Sequence, residues 1–227
     1  MAYADLRTDF VFQKVFGQHE DVLRGLLNDL LGRDGARAIT SLTYLPPGQP
    51  AMAPGAKLSI LDVRCHTERG EVFVVEMQVL PVTGFLNRVV FNACKAYVGT
   101  LPEGKDYETL VDVVAVSICD FVLWSDAEQD AKASPRVPML SRWKMRETSG
   151  AESGMGQVQY VFLELPKLGD RAPRGAVEWW ASLFQVAPEL KREEVAASAE
   201  PNLRKSRAIP NWTSWASVGT RDRKSVV

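Results

Sequence analysis

Two β-rich runs, Leu58 to Thr67 and Glu71 to Leu80, stand on either side of Glu68-Arg69-Gly70. So short a connection joins only antiparallel neighbours, and Gly70 falls where a tight turn most easily takes a positive φ. Successive side chains of a strand point to opposite faces. On the first run this sets Leu61, Val63 and Cys65 on one face, with Asp62, Arg64 and His66 on the other. On the second it sets Phe73, Val75 and Met77 against Val74, Glu76 and Gln78. A turn centred on Arg69 then brings Asp62 across from Glu76, two carboxylates on one face about 4.5–5.5 Å apart at Cβ.

Such a pair needs compensation, because like charges directly opposite each other destabilise a sheet by up to roughly 1 kcal/mol. A divalent cation removes the repulsion. Mg²⁺ favours oxygen ligands, typically one or two carboxylates with waters and a substrate phosphate. It polarises the phosphoryl oxygen and lowers the pKa of a bound water that attacks phosphorus. Gln78 emerges two residues beyond Glu76, where its amide can orient that water or donate to the phosphate. The spacing alone fits better a solvated sheet surface on which Arg64 neutralises the two acids.

The flanking segments favour a mixed α/β domain. A short helix is expected over 5–16, and a second over 20–31, where Val22, Leu23, Leu26, Leu27, Leu30 and Leu31 recur at helical spacing before Gly32. Ile39 to Leu45 reads as a short strand, and Pro46 to Gly55 as a loop. Phe85 to Gly99 reads as a helix. Leu110 to Phe121 is a strand whose apolar centre, Val113 to Val116, implies burial on both faces. A polar excursion over 125–137 precedes a last strand at about 157–165, and a helix carrying Trp179 and Trp180 starts at Glu178. These segments place one α/β domain at 1–190 and a helical or partly disordered tail at 191–227. The tail gathers Arg204, Lys205, Arg207, Arg221, Arg223 and Lys224, together with Trp212 and Trp215.

Composition narrows the function. With 227 residues, 46% of them hydrophobic, the chain can bury a core without staples. Its formal net charge of -1 argues against a strongly basic nucleic-acid coat but allows a local basic groove. Cys65, Cys94 and Cys119 are too scattered for a disulfide framework or a paired metal site, which points to a reducing cytoplasm. No signal peptide or membrane-spanning run is read at the start or elsewhere. His19 and His66 are too few for a histidine metal cluster. Ser117 and Cys119 lack the partners of a nucleophile, and no phosphate-binding glycine loop occurs. Arg88 and Lys14 each read as a phosphate ligand or an ordinary surface cation, and Trp179 and Trp180 as packing residues.

Several segments also carry a resemblance. Thr8-Asp9-Phe10-Val11-Phe12-Gln13-Lys14-Val15-Phe16-Gly17 resembles the opening of the Rpn-type recombination-promoting nucleases, the PD-(D/E)XK transposase family. Ser59 to Arg64 and Val74 to Gln78 resemble that family's nuclease hairpin. Phe85-Leu86-Asn87-Arg88 with Tyr97, then Gly104 to Tyr107, resemble its next helix and loop, and Phe162 to Lys167 its last core strand. The matches keep the family's order over roughly residues 3 to 205. After about Arg204 the pattern gives way to Ala208-Ile209-Pro210-Asn211-Trp212-Thr213 and a basic end. The resemblance implies a restriction-endonuclease-like αβββαβ core with a mixed central sheet and flanking helices. It further implies Mg²⁺-dependent DNA cleavage, with Mn²⁺ as an alternative ion, and a link to recombination. Asp62, Glu76 and Gln78 would be catalytic, Gln78 standing at the family's usual Lys position. Asp62 and Glu76 would bind metal, and Asp9 would add a third acidic ligand unless it only favours its helix dipole. The implied partner is DNA, with no membrane, and a homodimer stays open. The rival reading is a catalytically inactive DNA-binding or self-associating remnant of a transposase-like protein.

Overall fold

The computed structural model describes residues 5–49, 59–125, 136–149 and 154–186. Most of the excursion expected over 125–137, namely 126–135, and the tail expected at 191–227 lie outside the described residues. The chain divides into two compact units, Met1–Ile39 with Leu168–Val227, and Thr40–Lys167.

The first unit is helical where described. Helix α1 runs Asp9–Phe16, shorter than expected. Asp5 accounts for the difference: its carboxylate accepts from the Arg7 backbone N–H at 2.9 Å and from the Arg7 side chain, which holds residues 5–8 in a turn. Helix α2, Glu20–Leu31, buries Val22, Leu23, Leu26, Leu27 and Leu30, the periodic apolar positions of the sequence. Gly32 caps it at φ 62°, its N–H reaching the carbonyls of Asn28 and Asp29. Helix α4, Ala176–Val186, closes the unit. Phe12 and Phe16 pack ring to ring at 4.7 Å, and Phe184 lies 5.6 Å from Phe16. Buried Trp180 donates its indole N–H to Asp29 at 2.7 Å, which confirms a packing role for this residue. Asn28 fastens the following loop through two hydrogen bonds with the backbone of Ile39.

The second unit is built on a six-stranded mixed sheet. Its strands are β1 (Leu42–Tyr44), β4 (Val63–Thr67), β5 (Val72–Gln78), β6 (Val113–Cys119), β7 (Leu140–Arg146) and β8 (Gly154–Glu164), in the order β1-β4-β5-β6-β8-β7. Strands β5, β6 and β8 run parallel, and the outer pairings are antiparallel. The short strands β2 (Gly48–Gln49) and β3 (Ser59–Ile60) form a separate pair. The β4–β5 register, Val63 with Val75 through His66 with Val72, is the one set by a turn at Arg69. Gly70 takes φ 85° there. Every residue of β6 is buried, as its apolar run requires.

Helix α3, Phe85–Val98, carries the chain from β5 to its parallel neighbour β6. Its Phe85, Val89 and Ala93 pack on Ala115, Cys119, Val158 and Phe162. Withdrawing Phe85 or Val89 from water contributes about 1.5–3 kcal/mol each. Register therefore assigns Val72, Val74, Glu76 and Gln78, with Ala115 and Cys119, to the face that α3 covers.

Three expectations are corrected. The run Leu58 to Thr67 is no single strand: it bends at Asp62, and its first part pairs elsewhere as β3. The bend breaks the alternation, so Leu61 packs with Val72, Val74, Ala96 and Val113 on the α3 face, not beside Val63 and Cys65. Strand β2 lies inside the stretch read as a loop. Edge strand β7 was not expected: its basic residues alternate with Trp143 and Met145, but only Ser141 among its residues is buried, so no core-facing stripe marks it. Among the described residues no helix is long and apolar enough to cross a membrane.

Candidate active site

Glu76 sits near the end of β5 on the α3 face and is buried. Two α3 residues one turn apart, which share a face of the helix, meet its carboxylate. Asn92 donates its amide N–H to Oε1 at 2.9 Å, and Arg88 holds a guanidinium nitrogen 4.0 Å from Oε2. Asp62 stands at the bend before β4, and its Oδ2 accepts the Met77 backbone N–H at 2.8 Å. A bend there turns the side chain toward the β5 backbone rather than leaving it upright on the sheet. The two acids still feel each other. Burial raises the Glu76 pKa above the ordinary carboxylate range, the Asp62 charge raises it further, and Arg88 and the Asn92 hydrogen bond oppose them.

Gln78 follows on the same face. It donates its amide to the Leu80 carbonyl at 2.7 Å, and its Oε1 accepts a hydrogen bond from Arg88. Arg88 thus bridges Glu76 and Gln78 and sets a positive charge beside a neutral glutamine. Arg64 does not neutralise the acids. It is half-buried, its Nε has no hydrogen-bond partner among the described residues, and burial lowers its pKa. His66 turns its Nδ1 to the Thr67 carbonyl at 3.0 Å, a local contact. Behind Asn92, buried Lys95 donates to the Gln49 carbonyl at 3.0 Å. Asp9 is the exposed first residue of α1, in the other unit.

Arg88 and Asn92 are the partners that sequence reasoning undervalued: Arg88 read equally well as surface, and Asn92 was not singled out. The signal was present in their four-residue spacing on the helix that directly follows the Glu76 strand. A parallel βαβ unit lays that helix over the strand.

The donor set suits a hard cation. Asp62 and Glu76 offer carboxylate oxygens, the ligands that Mg²⁺ prefers, and two protein carboxylates are a usual number for it. The charge of one raises the pKa of the other, a cost that a cation would relieve. No group of three or more His, Cys, Asp or Glu able to hold a metal occurs among the described residues, so water and substrate oxygens would complete the shell.

Comparison with known proteins agrees with this architecture. The family model described as "PD-(D/E)XK nuclease family transposase" matches residues 6–217. The match covers the hairpin, α3 and the strands beyond it, and it continues past residue 205, where the quoted resemblance ended. No curated protein and no solved structure matches the chain. The mixed six-stranded sheet with its helices agrees with a restriction-endonuclease-like fold. With the family model spanning nearly the whole sequence, the chain belongs to the PD-(D/E)XK nuclease family transposases.

Proposed function

We propose that this chain is a metal-dependent endodeoxyribonuclease that hydrolyses DNA phosphodiester bonds in the movement or recombination of DNA segments. The observation that carries the reading is the meeting of two acids at the open end of the β4–β5 pair: Asp62 accepts the backbone N–H of Met77, the residue next to buried Glu76. Asp62 and Glu76 would hold Mg²⁺, or Mn²⁺ in its place. The bound ion would supply an activated water and polarise the phosphate.

The remaining chemistry belongs to the chain. The Met77 N–H fixes the Asp62 carboxylate and the Asn92 amide fixes that of Glu76, so both keep their orientation. Arg88 supplies the positive charge that neutral Gln78 lacks, aimed at the charge that builds on the phosphate oxygens. Gln78 acts through Arg88, holding the guanidinium beside Glu76. Asp62 and Glu76 carry the proposed site; a further ligand role for Asp9 would show as weaker Mg²⁺ binding in Asp9→Asn.

Asp62→Asn keeps an oxygen acceptor for the Met77 N–H while removing the charge. This variant should fold normally and lose Mg²⁺-dependent nicking of supercoiled plasmid. Undiminished cleavage would rule out the assignment. The neutral Gln78, its amide committed to Leu80, favours a second reading in which the chain binds DNA without cutting it. Salt-sensitive DNA binding by the wild-type protein, with no cleavage in Mg²⁺ or Mn²⁺, would select that reading.

A further inference from the structure

Strands β7 and β8 outrun the sheet they belong to. β8 pairs with β6 only from Val158 onward, whereas Met155 and Gly154 pair with Met145 and Arg146 of β7 alone. The far end is therefore a two-stranded ribbon that projects past its neighbours. A register shift between Lys144 and Met145 marks its root. The ribbon is held close at Gly154, where a Cβ would come 2.5 Å from the Met145 carbonyl oxygen.

On β7, Arg142, Lys144 and Arg146 alternate with Trp143 and Met145. Arg142 pairs with Val161 and Lys144 with Gln159, positions on the sheet face away from α3. Arg142 and Lys144 therefore share one side of an edge strand, about 6.8 Å apart, and Arg146 follows just beyond the register shift. All are exposed, and Lys144 and Arg146 make no ion pair among the described residues. On the other side Trp143 stacks on Trp124 at 4.8 Å, tying the strand to the loop after β6, and its indole N–H donates to Ser141 of the same strand at 2.8 Å. Among the described residues of the hairpin the one exposed acid is Glu147, at the tip, which hydrogen-bonds Ser149. In a chain whose net charge is -1, this is a concentrated local positive charge.

We propose that the β7–β8 ribbon is a second nucleic-acid contact, gripping the sugar-phosphate backbone of duplex DNA through Arg142, Lys144 and Arg146, away from the cleavage site. The inference rests on the nuclease reading for its partner. A row of cations at two-residue spacing follows successive phosphates, and a two-stranded β-ribbon is narrow enough to enter a major groove. Edge-strand cations also discourage sheet-to-sheet association; that role alone would leave DNA affinity unchanged.

The test is anisotropy titration of a labelled duplex by the full chain in chelator, over a series of salt concentrations, for wild type, K144Q/R146Q and K144R/R146K. Each lost phosphate contact lowers the slope of log affinity against log salt by about 0.9. The neutral variant should therefore show a slope smaller by about 1.8 and bind roughly tenfold more weakly at low salt. The charge-preserving variant should match wild type. Plasmid nicking at saturating DNA should be equal in all three, with the KM raised only in K144Q/R146Q. Wild-type affinity and slope in K144Q/R146Q would overturn the ribbon contact and leave the nuclease reading standing. Equal weakening of both variants would also overturn it, since charge would not be the cause. A wild-type chain that binds duplex through these residues but never cleaves would overturn the nuclease reading and leave the ribbon contact intact.

Discussion

At Glu76, a buried carboxyl beside a second acid, the pKa has a direct consequence for stability. A carboxyl whose pKa is raised on folding binds its proton more tightly in the native chain than in the unfolded one. Its contribution is therefore most favourable below the unfolded value and declines as pH rises through the folded value. Glu76→Gln removes that decline and keeps an oxygen for Asn92. In chelator the variant should melt close to wild type at acid pH and a few degrees higher at neutral pH, by thermal unfolding followed with circular dichroism. A variant less stable at neutral pH would show that the charged carboxylate is stabilised by its neighbours. Arg88 gives a complementary expectation. Arg88→Ala should lower the rate of plasmid cleavage by about 10²-fold or more, the scale of losing one group that stabilises transition-state charge. Arg88→Lys should recover part of it, because charge is retained while the bridge to Gln78 and Glu76 is weakened. Equal loss in both variants would reduce the role of Arg88 to packing on Phe85, 5.6 Å from its ring.

Elements were legible to different degrees, for physical reasons. The β4–β5 pairing followed from the turn alone, because a three-residue connection leaves little freedom in register. Helices α2 and α3 followed from apolar spacing. The bend at Asp62 was hidden: Asp is a poor strand former, but the apolar residues on either side read as one continuous strand, and the part before the bend pairs with β2 instead. Edge strand β7 does alternate basic and apolar residues, but the run is short and lies almost wholly exposed, so no core-facing stripe marked it as a strand. Glu164, quoted only as part of a family-like segment, shows how tertiary contact gives meaning to a single residue. It ends β8 fully buried, accepting from the Leu123 and Trp124 backbone N–H groups at 2.6 and 3.2 Å and from Lys167 at 2.8 Å. Burial, then the Glu164 charge, pushes the neighbouring Cys119 thiol up to about 12, so this thiol is inert. Glu164→Ala would strand two N–H groups and an ammonium that still donates to Val137. It should cost about 3–5 kcal/mol in urea unfolding, and Glu164→Gln distinctly less. A cost under about 1 kcal/mol would mean that the loop after β6 is held by Trp124 packing instead.

For the molecule as a whole, metal and fold are linked through the same two carboxylates. An ion that binds the native chain and not the unfolded one stabilises it by RT ln(1 + [L]/Kd), about 1.4 kcal/mol at ten times Kd. Asp62 lies at the root of β4, and Glu76 lies on β5 beneath α3, the helix that joins the two central strands. Binding there should therefore protect the sheet unit from unfolding. The ion must also displace any proton held by Glu76, whose pKa is raised, so its affinity should grow as pH rises through that value. Mg²⁺ should then raise the melting temperature of wild type more at alkaline than at acid pH, and chelator should reverse it. Asp62→Asn should lose the response, whereas K144Q/R146Q should keep it in full, because the ribbon lies outside the metal site. A Mg²⁺ response that survives in Asp62→Asn would place the ion elsewhere in the chain. Equal responses at both pH values would show that Glu76 is ionised before the ion arrives, and the desolvation argued for its carboxyl would fall with that result.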